Sequence, residues 1–304
     1  MIQGYFKDLS AYNKLILMLL FVVCGLIIGS IITLLVGQYI FHIDLSVEGA
    51  LKANIPFLQG AQIFQSICIF VLPSALATYA LYPNNRTVMP GQGRSNAILI
   101  VLTILVIFFS QAFITWTGWL NQQLALPEAL ESVASWIKNK EIEAKELTDL
   151  MIQSATFTQI IITVFMLCVL PAIGEEWLFR GLIQKELASV FRNVHIAVFI
   201  TAFVFSAIHL QFLSFLPRFA LGIILGYLMV FSKNIWIPIA AHFVNNLMAV
   251  ILYSYHQNHG SNNSIFEMPS ENPFGLMVVY SLVLIIILLY SVKQLAKHNT
   301  RSNL

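Results

Sequence analysis

Apolar residues in this chain come in long, nearly unbroken runs rather than in the spaced stripes of a soluble protein. The runs lie at about 15–39, 61–83, 96–118, 156–175, 195–211, 214–232, 235–255 and 274–292. Each reaches the roughly 17–25 residues that carry a helix across a bilayer. The pattern predicts an all-α, polytopic membrane protein of about eight transmembrane helices, bundled around a polar intramembrane cavity. Polar stretches divide the runs into an N-terminal three-span segment (1–120), an extracytoplasmic amphipathic loop (121–155), a four-span core (156–255) and an outer loop, last span and basic tail (256–304).

Within the 121–155 loop, Leu130, Val133, Ile137, Ala144, Leu147 and Met151 recur at helical spacing, which predicts one or two amphipathic helices starting near Pro127. Six acidic and three basic residues make an anionic lipid surface a poor partner for this loop. Packing over the outer mouth of the bundle is the expected role, with substrate binding as the alternative. The Pro- and Gly-rich turn from Asn84 to Ser95, the loop from Gln257 to Asn272 and the tail from Lys293 carry no chemical signature; Asn262 begins an Asn-x-Ser triplet of a kind common by chance.

Composition agrees with the pattern. The 304 residues are 58% hydrophobic and 10% charged, against about 25% charged for a soluble domain. The bilayer is therefore the first partner, and a net charge of +2 gives no basis for nucleic-acid binding. Cys24, Cys68 and Cys168 lie inside apolar runs and read as small buried residues rather than a disulfide framework. The first run, Leu15 to Val36, is too long for a signal-peptide core and reads as a retained span, with Gly25 and Gly29 spaced for close helix contact. With the N-terminus inside, eleven of the 16 Lys and Arg fall on the cytoplasmic side and five outside. That asymmetry places both termini, and the charged end of the fourth run, in the cytoplasm.

That charged end, Gly174-Glu175-Glu176-Trp177-Leu178-Phe179-Arg180-Gly181, carries the candidate chemistry. Each such charge costs roughly 2.5–3.5 kcal/mol at mid-bilayer and less near the interface. Glu176 and Arg180 are four apart on a helix and can pair, whereas Glu175 is turned by about 100° and is left to face a wet cavity as a base. Flanking charges at the end of a span are the plainer alternative.

Three further polar groups lie in later spans. His209 closes the fifth run, with Phe205 one turn before it to wall the imidazole. His242 and Asn246 share a face in the seventh, and Asn245 is nearly as well placed as Asn246. Singly, each histidine reads as a helix–helix hydrogen bond. Together with the glutamates they offer a base, a second proton carrier or ligand, and neutral donors for an oxyanion, which is the equipment for attack of water on an amide. Gly222 and Gly226 give the sixth span a smooth face for close packing.

These residues resemble a known family. Glu175-Glu176-x-x-x-Arg180, Phe205-x-x-x-His209 and His242-x-x-x-Asn246, with Phe215 to Gly222 as a looser motif, resemble the CPBP intramembrane proteases. That family includes type II CAAX prenyl endopeptidases, lysostaphin resistance protein A-like proteins and bacterial proteins linked to bacteriocin processing and self-immunity. The resemblance covers about residues 155–255. It implies a membrane peptidase in which Glu175 and His209 activate water, His242 and Asn246 steady the oxyanion, and Glu176 and Arg180 hold the site together. It also implies a membrane-associated, prenylated or leader peptide, or a small membrane protein, as substrate and, for a chain with such compact loops, a bacterial cytoplasmic membrane.

Two mechanisms remain open. Glu175, His209 and His242 could supply a His₂Glu set for zinc with an open fourth position. The preferred expectation is a metal-free, glutamate-based reaction, since no His-Glu-x-x-His helix is present. A non-catalytic scaffold or immunity partner using the same cavity is the alternative function. Transport is disfavoured because no repeated halves or paired broken helices are evident.

Overall fold

A chain with apolar side chains on every face can satisfy its backbone in lipid only by internal hydrogen bonds, and this one does so with helices. The computed structural model describes residues 3–44, 54–84, 97–124, 127, 130–152, 156–258 and 272–301. The helices are α1 (Ala11–Tyr39), α2 (Ile55–Leu81), α3 (Ala97–Gln122), α4 (Glu131–Ile152), α5 (Phe157–Phe191), α6 (Val194–Ala207), α7 (Phe215–Ser232), α8 (Trp236–Asn258) and α9 (Leu276–Arg301). No strand occurs among the described residues. The turn beyond Asn84 and residues 259–271 of the polar loop, with Asn262 and His259, lie outside them.

Seven helices among the described residues are long and apolar enough to cross a membrane. The expected fifth span is the exception. α6 has 14 residues and, at about 1.5 Å per residue, falls short of a hydrocarbon core of about 30 Å. It stops at Ala207 because the chain turns there: the His209 and Leu210 N–H groups bond to the carbonyls of Ser206 and Ala207, and Leu210 has φ +52°. The charged continuation of the fourth run is helical to Phe191. The amphipathic loop forms the single helix α4, with a Leu130 N–H to Pro127 carbonyl bond just before it.

The chain divides into two compact units, Met1–Met89 with Glu146–Arg192, and Pro90–Lys145 with Asn193–Leu304. In the first, α1, α2 and α5 pack through missing side chains. A Cβ on Gly25 would lie 2.0 Å from the Cys68 carbonyl oxygen, and one on Gly29 would lie 2.9 Å from the Cys68 Cβ. A Cβ on Gly174 would meet the Phe70 Cβ at 2.9 Å. The glycine pair in α1 thus has the close contact that its spacing suggests.

α2 and α5 share an irregularity not apparent from hydropathy. Each carries Val-Leu-Pro (71–73 and 169–171), and each has a π turn directly before Leu-Pro, at Ile67–Val71 and Phe165–Val169. The Leu72 and Leu170 N–H groups reach back five residues, to the carbonyls of Ile67 and Phe165. Proline has no N–H to give, and a local π adjustment re-satisfies the backbone without breaking the helix. Both helices bulge rather than break. In the second unit, Leu99, Val106, Leu221, Leu225, Leu228, Ile237 and Ala241 form a core joining α3, α7 and α8. Gly222 packs against Ala202 of α6.

Because the Gly25 contact is with backbone, Gly25→Leu must push α1 away from α2. Thermal unfolding in detergent should show a loss of about 1–3 kcal/mol or more, whereas Leu26→Ala, at an exposed neighbour, should change little.

Candidate active site

The candidate acidic residues belong to the first unit. α5 is α-helical over Leu170–Glu176 and changes to a π turn over Trp177–Ile183, so the glutamate pair sits at the junction. A π turn adds a residue to the helical circuit and rotates the next stretch of helix by about one residue step, roughly 100°. Arg180 nevertheless reaches Glu176: its Nη1 donates to Oε1 at 2.9 Å, with both side chains at 0% exposure. The predicted ion pair is therefore real, formed where the low dielectric strengthens both the attraction and the penalty for losing it. Glu175 is 7% exposed. Trp177 fixes the junction by donating from Nε1 to the Thr78 hydroxyl at 3.0 Å.

The candidate imidazoles and amides belong to the second unit. Phe205, buried on α6, stands with its ring centroid 5.2 Å from that of His209 and 5.9 Å from that of His242, edge-on to both. It walls two imidazoles rather than the one expected. His209 lies just beyond α6, in the turn. Its Nδ1 is 2.7 Å from the Phe205 carbonyl oxygen. A carbonyl only accepts, so Nδ1 carries the proton of the neutral ring and Nε2 is the acceptor. That is the tautomer suited to taking a proton or holding a metal.

His242 is buried on α8. Further along the same helix the two asparagines are linked: Asn245 donates from Nδ2 to Asn246 Oδ1 at 3.4 Å, and Gln111 of α3 donates to Asn245 Oδ1 at 3.5 Å. These are long bonds, yet they give Asn245 a place in orienting the Asn246 amide.

Sequence reasoning missed the residues that hold the His209 turn. Asn121, buried at the end of α3, donates from Nδ2 to the Phe212 carbonyl and accepts from the Leu216 N–H, both at 2.7 Å. Glu141 of α4 accepts from the Leu213 N–H at 2.9 Å, and Ser206 donates to the Phe215 carbonyl at 2.6 Å. Arg218 donates to Ser214 at 3.0 Å and also to Gln211. α4 thus braces the turn after His209 through Glu141. A polar residue ending an apolar run was the available signal for Asn121, but it reads equally as the start of a loop.

Within either unit, no three His, Cys, Asp or Glu gather at metal-ligand spacing among the described residues. The donor chemistry of His209 Nε2 suits zinc as well as it suits a proton.

Residues 157–248 match the family described as Rce1-like, type II CAAX prenyl endopeptidase Rce1-like. The matched stretch is under a third of the chain and contains every candidate residue from Glu175 to Asn246. Uncharacterized protein YpbD of Bacillus subtilis (strain 168) is 31% identical over 85 residues, which are 27% of this chain and 40% of that protein. The similarity therefore spans less than half of that relative. No solved structure matches.

Arg180→Ala should lower stability by about 3–5 kcal/mol, because it strands a buried carboxylate; adding Glu176→Gln should recover part of the loss in a thermal-unfolding double-mutant cycle. Asn121→Ala removes both ties to the Phe212–Leu216 turn. Amide exchange there should accelerate by at least about tenfold, the equivalent of 1.4 kcal/mol, while the core of α7 stays protected.

Proposed function

We propose that this integral membrane protein, Rce1-like over residues 157–248, is an intramembrane endopeptidase that hydrolyses a peptide bond in a membrane-associated peptide or small membrane protein. The observation that carries the reading is the buried glutamate pair of a spanning helix, inside the segment that matches a peptidase family. One carboxylate is committed to Arg180. The other is the candidate base.

In this reading Glu175, assisted by His209, takes a proton from water as the water oxygen bonds to the scissile carbonyl carbon. His209 Nε2 has the acceptor character this needs. N–H donors of His242 and Asn246 stabilise the tetrahedral oxyanion, and Asn245 orients Asn246. When the C–N bond breaks, the proton held by the acid passes to the leaving amine. Glu176 and Arg180 hold the backbone at the α-to-π junction from which Glu175 projects. If zinc is bound, Glu175, His209 and His242 would hold it, and it would supply Lewis-acid polarisation of the carbonyl and activation of the water. The glutamate-based reaction is the one preferred. The Lys and Arg distribution over the first four spans supports the N-terminus and the charged end of α5 on the cytoplasmic side, with a prenylated C-terminal peptide, leader peptide, secreted peptide or membrane-anchored regulator as substrate.

Glu175→Gln keeps the shape and removes the base. On a labelled membrane peptide it should cut the single-turnover rate by about 10²–10⁴-fold with unchanged thermal unfolding; wild-type turnover by this variant would refute the assignment. Activity of the purified protein should survive chelator, and inhibition reversed by added zinc would instead select the metal-dependent route.

A further inference from the structure

The first unit contains a second polar site that the peptidase reading does not use. It is a cleft of about 530 Å³ lined by Lys7, Asp8, Lys14, Leu81, Tyr82, Pro83, Lys185, Glu186 and Ser189. Three chain segments build it. The N-terminal turn is fixed on the end of α2 by the Gly4 and Phe6 N–H groups, which bond to the Tyr79 and Ala80 carbonyls at 2.8 and 2.9 Å. That docking holds Lys7 and Asp8 at the rim. The first turn of α1 brings Lys14, and the end of α5 brings Lys185 and Glu186.

Tyr82 is the floor. Its ring centroid lies 3.9 Å from the Lys185 ammonium and 5.4 Å from that of Lys14, so two like charges approach one aromatic ring. Its hydroxyl donates to Glu186 Oε1. Burial first, and then that bond and the Glu186 charge, hold the phenol above its ordinary range, so it stays a neutral donor. The bond engages the nearly buried Glu186 carboxylate with a phenol. No ion pair joins Lys7, Lys14 or Lys185 to a carboxylate among the described residues. Three ammoniums thus face one cleft against two carboxylates, exposed Asp8 and Glu186, the latter also acting electrostatically on Lys185.

Such a cleft suits a phosphate-bearing anion. Its position indicates the source. It lies where α1 begins and α2 ends, at the level where spans leave the hydrocarbon, and the adjoining Tyr5, Phe6 and Tyr12 side chains are exposed, as in an interfacial aromatic belt. Basic pockets between spans at this depth bind anionic head groups.

We propose that the Lys7–Lys14–Lys185–Tyr82 cleft is a binding site for the phosphate of an anionic phospholipid head group. Seated there, the lipid ties the N-terminal turn, α2 and the end of α5 together. Because α5 is also the helix of the glutamate pair, occupancy stiffens the helix that carries it. The proposal stands independently of the peptidase reading.

The full chain in nanodiscs of phosphatidylcholine, with and without phosphatidylglycerol, tests it. Phosphatidylglycerol should raise the unfolding temperature by at least ~2 °C and should be retained over phosphatidylcholine in native mass spectra. Lys14→Gln with Lys185→Gln should abolish both effects, the two Lys→Arg changes should preserve them, and Lys293→Gln with Lys297→Gln in the C-terminal part of α9 should leave them intact. Equal behaviour of wild type in the two lipids, or loss of the effect only in the α9 variant, would overturn the proposal. Stabilisation by inorganic phosphate without any preference for phosphatidylglycerol would overturn the lipid assignment and assign the cleft to a soluble phosphate.

Discussion

A fully buried Glu176–Arg180 ion pair inside a membrane-crossing helix is the constraint around which the first unit is arranged. Two opposite charges can stay in so poor a solvent only if each neutralises the other at contact distance. Contact in turn fixes the rotation of α5 at the point where its hydrogen bonding changes from α to π. Trp177 on Thr78 and Gly174 against Phe70 pin the same point to α2 from neighbouring positions. The adjacent glutamate inherits that rigidity. The general base proposed here needs a carboxylate whose position is set by its surroundings and not by its own flexible bonds.

The second unit uses a different means to the same end. Its histidine lies in a turn, where a helix cannot dictate orientation. The Phe205 carbonyl sets the His209 tautomer, the Phe205 ring limits its tilt and that of His242, and Asn121 and Glu141 hold the chain just beyond. Buried polar groups here act by completing backbone hydrogen bonds that lipid would leave unmet. α4 gains a purpose in the process. Its Glu141 is a support for the turn, and the ring of Trp136 lies 6.4 Å from that of Phe212 in that turn.

The π turns meet the same demand for satisfied backbone. Matching Val-Leu-Pro segments place one in α2 and one in α5, and the two helices meet beside them at Gly174. A proline in a spanning helix frees a carbonyl, and an added residue in the turn repairs the ladder while widening the helix locally. Gly25 and Gly29 exploit that widening, since the carbonyl of Cys68, inside the first π turn, is what Gly25 approaches.

The sequence alone determined the all-helical class, the membrane setting, the Gly25–Gly29 contact and the Glu176–Arg180 pair, because hydropathy, length and i, i+4 spacing are local properties of a single helix. It also marked Phe205, His209, His242 and Asn246 by their polarity or spacing, through a resemblance that the family match over 157–248 supports. Only the tertiary structure decided that the fifth apolar run ends as a 14-residue helix, with His209 in the turn beyond it. The same holds for the shared Phe205 wall, the clamp by Asn121 and the cleft floored by Tyr82. The wall, the clamp and the cleft each depend on residues tens of positions apart, and no pattern read along one helix records which distant carbonyl, ring or ammonium will lie against it.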